Sequence, residues 1–304
     1  MTSVWPELPV ASWQPTRDTL ILWLQVVGKI RIARTPLLNH WWNAPLYVTS
    51  RGLTTSLMPA EAERSFSIDL DFLDHRLDVT TTRGQSRSME LSSKSVKEFY
   101  AELTELLASL DLATEIWPVP VELPDAIPFP DDVTHSSYDP GAVTAFWRSL
   151  VEVERVFNQF RARFLGKSSP VHLFWGALDL ATTRFSGRPA PPHPGGMPNC
   201  GPHVMHEAYS HEVSSAGYWP GGEGEGIFYS YAYPEPDHYR TMPAGPTGAR
   251  FDDDLGEFVL PYTAVRTARD PDAVLVDFLQ RTYEAAALAG GWDRTVLERS
   301  QGSP

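Results

Sequence analysis

Five prolines, Pro118, Pro120, Pro124, Pro128 and Pro130, fall between residues 118 and 130. Proline lacks a backbone N–H and fixes its own φ, so such a run can neither donate regularly to a sheet ladder nor continue a helix. It reads as an extended connector that divides the chain into two halves with separate hydrophobic patterns. The predicted organisation is an α+β subdomain with an antiparallel sheet over 1–117, a connector over 118–138, and a second α+β subdomain over 139–304. Val119, Val121, Leu123, Ile127 and Phe129 are interleaved with the prolines. The connector is therefore expected to lie along the surface of the globule.

In the first half, Leu20, Trp23, Leu24 and Val27 recur at helical spacing and predict a helix over 17–34, stopped by Pro36. The period then changes to two. Phe66, Ile68, Leu70 and Phe72 alternate with Ser65, Ser67, Asp69 and Asp71, and Leu77, Val79 and Thr81 repeat the pattern beyond an Asp74-His75 turn. With a further strand around Met89 and Leu91, this predicts an antiparallel meander with one wet face, on which the aspartates are solvated. Ser95-Val96-Lys97-Glu98 has the form of a capping box, ahead of an apolar stripe from Val96 to Leu110. A short strand over 113–117 is predicted to follow.

The second half opens on a helix capped by Asp139 with Pro140 at its first position, and a stripe from Val143 to Phe164 faces the core. Gly166 ends it. Strands are predicted around 171–175, 207–213, 227–233 and 257–260. A last helix, capped by Asp270-Pro271, stops at Gly290-Gly291.

Composition narrows the function classes. The 304 residues are 42% apolar and carry a net charge of -13, with no local basic patch. This argues against nucleic-acid binding, which needs Lys and Arg to neutralise phosphates. Cys200 is the only cysteine, so an internal disulfide and a cysteine-based zinc site are both excluded. The N-terminal Met1-Thr2-Ser3-Val4-Trp5-Pro6-Glu7 has no basic and apolar regions of a secretory leader, and the apolar stretch from Leu20 to Val27 is too short to span a bilayer. A cytoplasmic protein without nucleic-acid or membrane partners is expected.

Five of the nine histidines lie between residues 167 and 222, among arginines, tryptophans and turn residues. Such a segment offers groups that titrate near neutrality, anion partners and apolar walls. Gly166-Lys167-Ser168-Ser169 is not a phosphate loop, because Arg161 stands where the motif needs glycine and a helix precedes it. His206 and His211 are five apart, so on a helix they diverge by about 140° and do not form a zincin pair. The residues that remain are His172, His211 and Glu212 as candidate catalytic groups. Arg184, Tyr209, Trp175, His40 and Trp219 are candidate ligand-binding groups. His172, His211 and Glu212 would also suit a divalent metal, although nothing local requires one.

Several strings together resemble one bacterial family, domain-of-unknown-function family 5996. They are Val27-Gly28-Lys29-Ile30-Arg31, Asn39-His40-Trp41-Trp42, Tyr47-Val48-Thr49, Arg51-Gly52-Leu53-Thr54-Thr55 and Phe72-Leu73-Asp74-His75. Later come Gly166-Lys167-Ser168-Ser169-Pro170-Val171-His172, Phe185-Ser186-Gly187-Arg188, Tyr209-Ser210-His211-Glu212 and Trp219-Pro220-Gly221. The resemblance implies a bacterial intracellular protein and one architecture over nearly the whole chain. It carries over no catalytic residue.

Two functional expectations follow. One is an enzyme acting on a small polar or anionic molecule, with His172 and His211 in acid–base or metal-assisted chemistry, Glu212 orienting and Arg184 holding an anion. The other is a non-catalytic binding or scaffold protein whose histidines form a structural polar network.

Overall fold

The structure, a computed structural model, describes residues 4–61 and 64–299. Residues 1–3, part of the stretch read for a secretory leader, lie outside the described residues. The protein is α+β, as its sequence pattern predicts.

The first helix, α1 (Val10–Arg34), starts seven residues before the expected boundary and keeps Pro15 inside. Every residue from Thr19 to Arg31 is buried. A helix covered on all sides is a central element of the core, not a one-sided surface helix. The strands β1 (Tyr47–Val48), β2 (Gly52–Thr54), β3 (Met58–Pro59), β4 (Ser65–Asp71), β5 (Arg76–Thr81) and β6 (Ser86–Glu90) form the first antiparallel sheet. Phe66, Ile68, Leu70, Leu77 and Val79 are its buried face. The helix α2 (Val96–Ala108) carries the expected capping box, with the Ser95 hydroxyl accepting from the Glu98 N–H and the Glu98 carboxylate accepting from the Ser95 N–H. Trp23 of α1 stacks between Phe99 of α2 and Tyr138.

The strand expected over 113–117 is absent. Arg34 donates to the Leu112 and Ala113 carbonyls at 2.9 and 2.6 Å and to the Thr114 hydroxyl at 2.8 Å. A side chain thus satisfies acceptors that a ladder would have used. Beyond the connector, α3 (Pro140–Ala162) is capped by the Asp139 carboxylate, as predicted.

The second sheet is built from β7 (His172–Phe174) and β8 (Asp179–Pro189), then, after the short helix α4 (Pro202–Ala208), from β9 (His211–Trp219), β10 (Ile227–Tyr233), β11 (Arg250–Asp252) and β12 (Glu257–Pro261). Its spatial order is β11-β12-β10-β9-β8-β7, antiparallel throughout. The strand expected over 207–213 is replaced by α4 and the start of β9. Gly201-Pro202 begins a helical turn, proline being favoured at a first helical position, and pairing resumes at His211 opposite Pro189. The chain closes with α5 (Tyr262–Arg266), α6 (Pro271–Ala289) and α7 (Arg294–Leu297).

One face of β8, β9 and β10 packs on α3 and α6 through Leu180, Arg184, Ala216, Tyr218 and Phe228. The halves meet at a two-bond backbone bridge, Leu46 N–H to the Leu173 carbonyl and Leu173 N–H to the Leu46 carbonyl, at 3.0 and 2.8 Å. Beside it the Trp175 indole donates to the Ala44 carbonyl at 2.9 Å and packs closely against α1 at Gly28. A single core cluster takes side chains from both sides of the connector. Among the described residues no helix is long and apolar enough to cross a membrane.

A Cβ on Gly28 would stand 2.1 Å from the Trp175 Nε1. Gly28→Ala should therefore lower stability by about 1–3 kcal/mol through overpacking, read as a lower urea midpoint. An unchanged midpoint would show that the Trp175 contact does not join the halves.

Candidate functional site

The other face of the second sheet lines a cavity of about 440 Å³. Side chains of a strand alternate between faces, so one parity of each strand reaches it. These are His172 and Phe174 from β7, and Asp179, Ala181, Thr183 and Phe185 from β8. Val213 and Ser215 come from β9, Tyr229 and Tyr231 from β10. Trp175 closes one wall. Across the sheet, the cavity is covered by His40, Trp41 and Trp42, by Glu122 of the connector, and by α4 with Val204, Met205 and Ala208.

The cover is held by polar contacts that reach far along the chain. His40 and Trp41 both have positive φ, 56° and 59°, a conformation that costs side-chain-bearing residues about 1–2 kcal/mol each. The His40 N–H donates to the Glu207 carboxylate at 2.9 Å, and the Trp41 indole donates to the Val204 carbonyl at 3.1 Å. His40 Nδ1 lies 3.0 Å from the Ala208 carbonyl, which can only accept, so Nδ1 carries the proton. Nε2 then accepts from the Lys167 ammonium at 2.6 Å. Burial, with the nearby Lys167 and His211, lowers the His40 pKa and keeps the ring neutral, although its bond to the Ala208 carbonyl and Glu207 act in the opposite direction.

Glu122 is positioned as tightly. Its φ is 64°, and its N–H donates to the Pro198 carbonyl at 2.8 Å. The preceding Val121 is clamped on both backbone groups by the Gln25 amide of α1, at 2.9 and 3.0 Å. The carboxyl lies against Gly176, where a Cβ would stand 2.3 Å from its Oε1. Burial, then the neighbouring Asp179, push the Glu122 carboxyl up to about 7. Asp179 is itself pushed up to about 6 by burial, against the stabilising bond from the Tyr229 hydroxyl at 2.6 Å. Two carboxyl groups thus share one cavity with several aromatic walls, and burial raises both toward neutrality.

The remaining polar groups form a row across the sheet. The Tyr209 and Tyr231 hydroxyls are 2.8 Å apart, and Thr183 and Ser215 are 2.9 Å apart on paired strands. His172 is 1% exposed, and its Nδ1 has no hydrogen-bond partner. Burial, with Arg31 and Arg161 nearby, lowers its pKa to about 3, so the ring stays neutral.

Of the residues predicted from sequence, His40, His172, Trp175 and Tyr209 line the cavity. His211 does not line it, but its ring packs 5.6 Å from that of His40. Glu212 has the opposite strand parity and accepts from Ser186 at 2.8 Å and from Arg188 at 2.7 Å. Arg184 points to the far face of the sheet, where its guanidinium lies 3.5 Å from the Phe160 ring and 4.3 Å from that of Tyr283. Trp219 lies at the far end of β9, against the Arg17 guanidinium. Among the described residues no three His, Cys, Asp or Glu side chains are grouped to hold a metal ion, so His172, His211 and Glu212 do not form such a set.

Glu122, Asp179, Tyr229 and Tyr231 escaped the sequence reading. Tyr229, Tyr231 and Tyr233 alternate in one strand, which marks a polar-tipped aromatic face, and Asp179 interrupts the apolar run Ala177-Leu178-Leu180-Ala181. Both signals were legible. Glu122 gives none, because only the Gln25 clamp and the Pro198 contact bring it to the cavity.

No curated protein and no solved structure matches the chain. The profile of one family, described as a family of unknown function (DUF5996), matches residues 5–299. That span takes in α1, both sheets and every residue that lines the cavity, and the chain belongs to this family.

Proposed function

We propose that this protein is an enzyme that acts on a small molecule in the cavity over the second sheet, with Glu122 and Asp179 exchanging protons with it. The observation that carries this reading is the pair of carboxyl groups in one aromatic cavity, pushed up to about 7 and about 6. Acid–base catalysis is most effective when the pKa lies near the working pH, and carboxyl groups reach that range only when burial or a like charge raises them.

The expected histidine chemistry shifts accordingly. A ring held neutral down to about pH 3, as at His172, is a weak base but a good hydrogen-bond partner. His172 is therefore the ring that meets the ligand, His40 holds the cover through Ala208 and Lys167, and the carboxyls move the protons. An anionic substrate held by Arg184 is disfavoured, since that guanidinium is stacked on Phe160 away from the cavity. The net charge of -13 and the lone Cys200 support a cytoplasmic protein without nucleic-acid or membrane partners. The alternative of a scaffold whose histidines form a structural polar network is supported at His40, whose N–H and two ring nitrogens are taken by Glu207, Ala208 and Lys167.

A thermal-shift screen of metabolites tests the site, because a ligand specific for the folded state raises its melting temperature. Hits should lose their effect in Ala181→Phe, which fills the cavity from β8. Hits unaffected by that variant would mean that they bind elsewhere. For a hit that is turned over, Glu122→Gln and Asp179→Asn should each lower turnover about 100-fold or more, the usual share of a general acid or base. Turnover at the wild-type rate in both variants would contradict the assignment.

Stability should carry the same signature. A carboxyl raised from 4.5 to about 7 binds more protons folded than unfolded between those values, so it costs stability increasingly as pH rises through that window. Glu122→Gln removes this cost. The variant should gain melting temperature relative to wild type at pH 8 and lose that advantage at pH 4. A gap independent of pH would show that Glu122 titrates normally.

A further inference from the structure

Among the described residues, the cavity lining contains Glu122 and Asp179 but no lysine or arginine. The nearby cations are turned to other partners. The Lys29 ammonium lies 4.8 Å from the Trp117 ring, Lys167 donates to His40, and Arg31 donates to the Asn43 carbonyl at 2.7 Å. A positive charge set directly against the two carboxyls, once ionised, would therefore come from the ligand.

A second observation points the same way independently. His172 is almost fully buried, lines the cavity and leaves Nδ1 unpartnered. A buried polar side chain without a partner is costly, and a neutral imidazole has one lone pair and one N–H to offer a ligand. The Tyr229 hydroxyl spends its proton on Asp179, so its oxygen too is left as an acceptor. The cavity thus presents acceptors, and its walls are aromatic: Phe174, Trp175 and Trp41.

From this, and resting on the reading of the cavity as the ligand site, we propose that its ligand is a small amine in the protonated form. The ammonium would sit at Glu122 and Asp179, and an aromatic or aliphatic body would lie against Trp175 and Phe174. An ammonium has three donors and no acceptor, which complements this lining, and it is also attracted to aromatic faces. An anion would meet two carboxyls with no counter-charge. A polyol would leave many of its hydroxyls against apolar walls.

Binding a cation also changes the protonation of the site. Glu122 faces Asp179 and Cys200, and Asp179 faces Tyr229 and, along the same face of the sheet, Glu257, which burial likewise raises to about 7. Lys29 stands beside Cys200 outside the lining. An ammonium stabilises the ionised carboxyls, so protons held at neutral pH are released when it binds.

Calorimetric titration of the full chain at pH 7 with 2-phenylethylamine, 2-phenylethanol and phenylacetate tests this. The amine should bind at least about tenfold more tightly than the alcohol, and phenylacetate more weakly than either. Amine binding should release protons, read as an enthalpy that depends on the ionisation heat of the buffer. Glu122→Gln and Asp179→Asn should each weaken the amine about tenfold and leave the alcohol unchanged. Proton release is measured on the unaltered protein, so it decides the matter even if a variant fails to fold. Equal or tighter binding of the alcohol or phenylacetate, amine binding without proton release, or no binding by any of the three overturns the amine assignment. The Ala181→Phe comparison with screen hits decides separately whether the cavity binds ligands at all.

Discussion

A sheet buried on both faces needs two different covers, and the second sheet shows how differently they can be made. Its far face meets α3 and α6, two long helices that present continuous apolar stripes. Dispersion and hydrophobic burial suffice there, and even Arg184 is absorbed by stacking on aromatic rings. The near face has no helix long enough to cover it. Its cover is assembled from the His40–Trp42 turn, the proline-rich connector and α4, which join by hydrogen bonds between residues more than ninety positions apart. Irregular segments cannot interdigitate like helices, so a cavity remains between them and the sheet.

The same constraint explains the chemistry of the cavity. An irregular cover can place a charged residue over a sheet where a helix would place leucine. The connector brings Glu122 in at a positive φ, held by the Gln25 amide and the Pro198 carbonyl, and Gly176 leaves room for its carboxyl. Asp179 enters from the sheet. Each is desolvated by burial, and Asp179 further raises the cost of ionising Glu122, so the pair holds protons at a pH where exposed carboxyls have lost theirs. Residues held in costly conformations for no packing gain concentrate at functional sites, and His40, Trp41 and Glu122 all border this cavity.

How much of this was legible in the sequence depended on the range of the interactions. The Ser95 capping box, the Asp139 cap and the alternation of Phe66, Ile68 and Leu70 are local, and the structure reproduces them. Where local pattern failed, a distant group had intervened. Arg34 took the carbonyls of the strand expected at 113–117, and α1 reaches back to Val10, whose N–H donates to the distant Gly224 carbonyl while Val10, Trp13 and Thr16 are buried on one side. The histidine-bearing segment supplies His172, Trp175 and Tyr209 to the lining of the cavity over the second sheet. Strand parity then separated its members, and Arg184 and Glu212 fell on other surfaces. Glu122 lay in the stretch that reads as a mere connector, and nothing short of the fold brings it to Asp179.

The account rests on a carboxyl pair that retains a proton near neutrality. Carbon-13 NMR of the side-chain carboxyls, assigned through Glu122→Gln and Asp179→Asn, follows their titration directly. The account predicts titrations with apparent pKa values near 6 and 7, and a fall of the Glu122 value when Asp179 is replaced by Asn. Independent titration of both groups near pH 4 would contradict it.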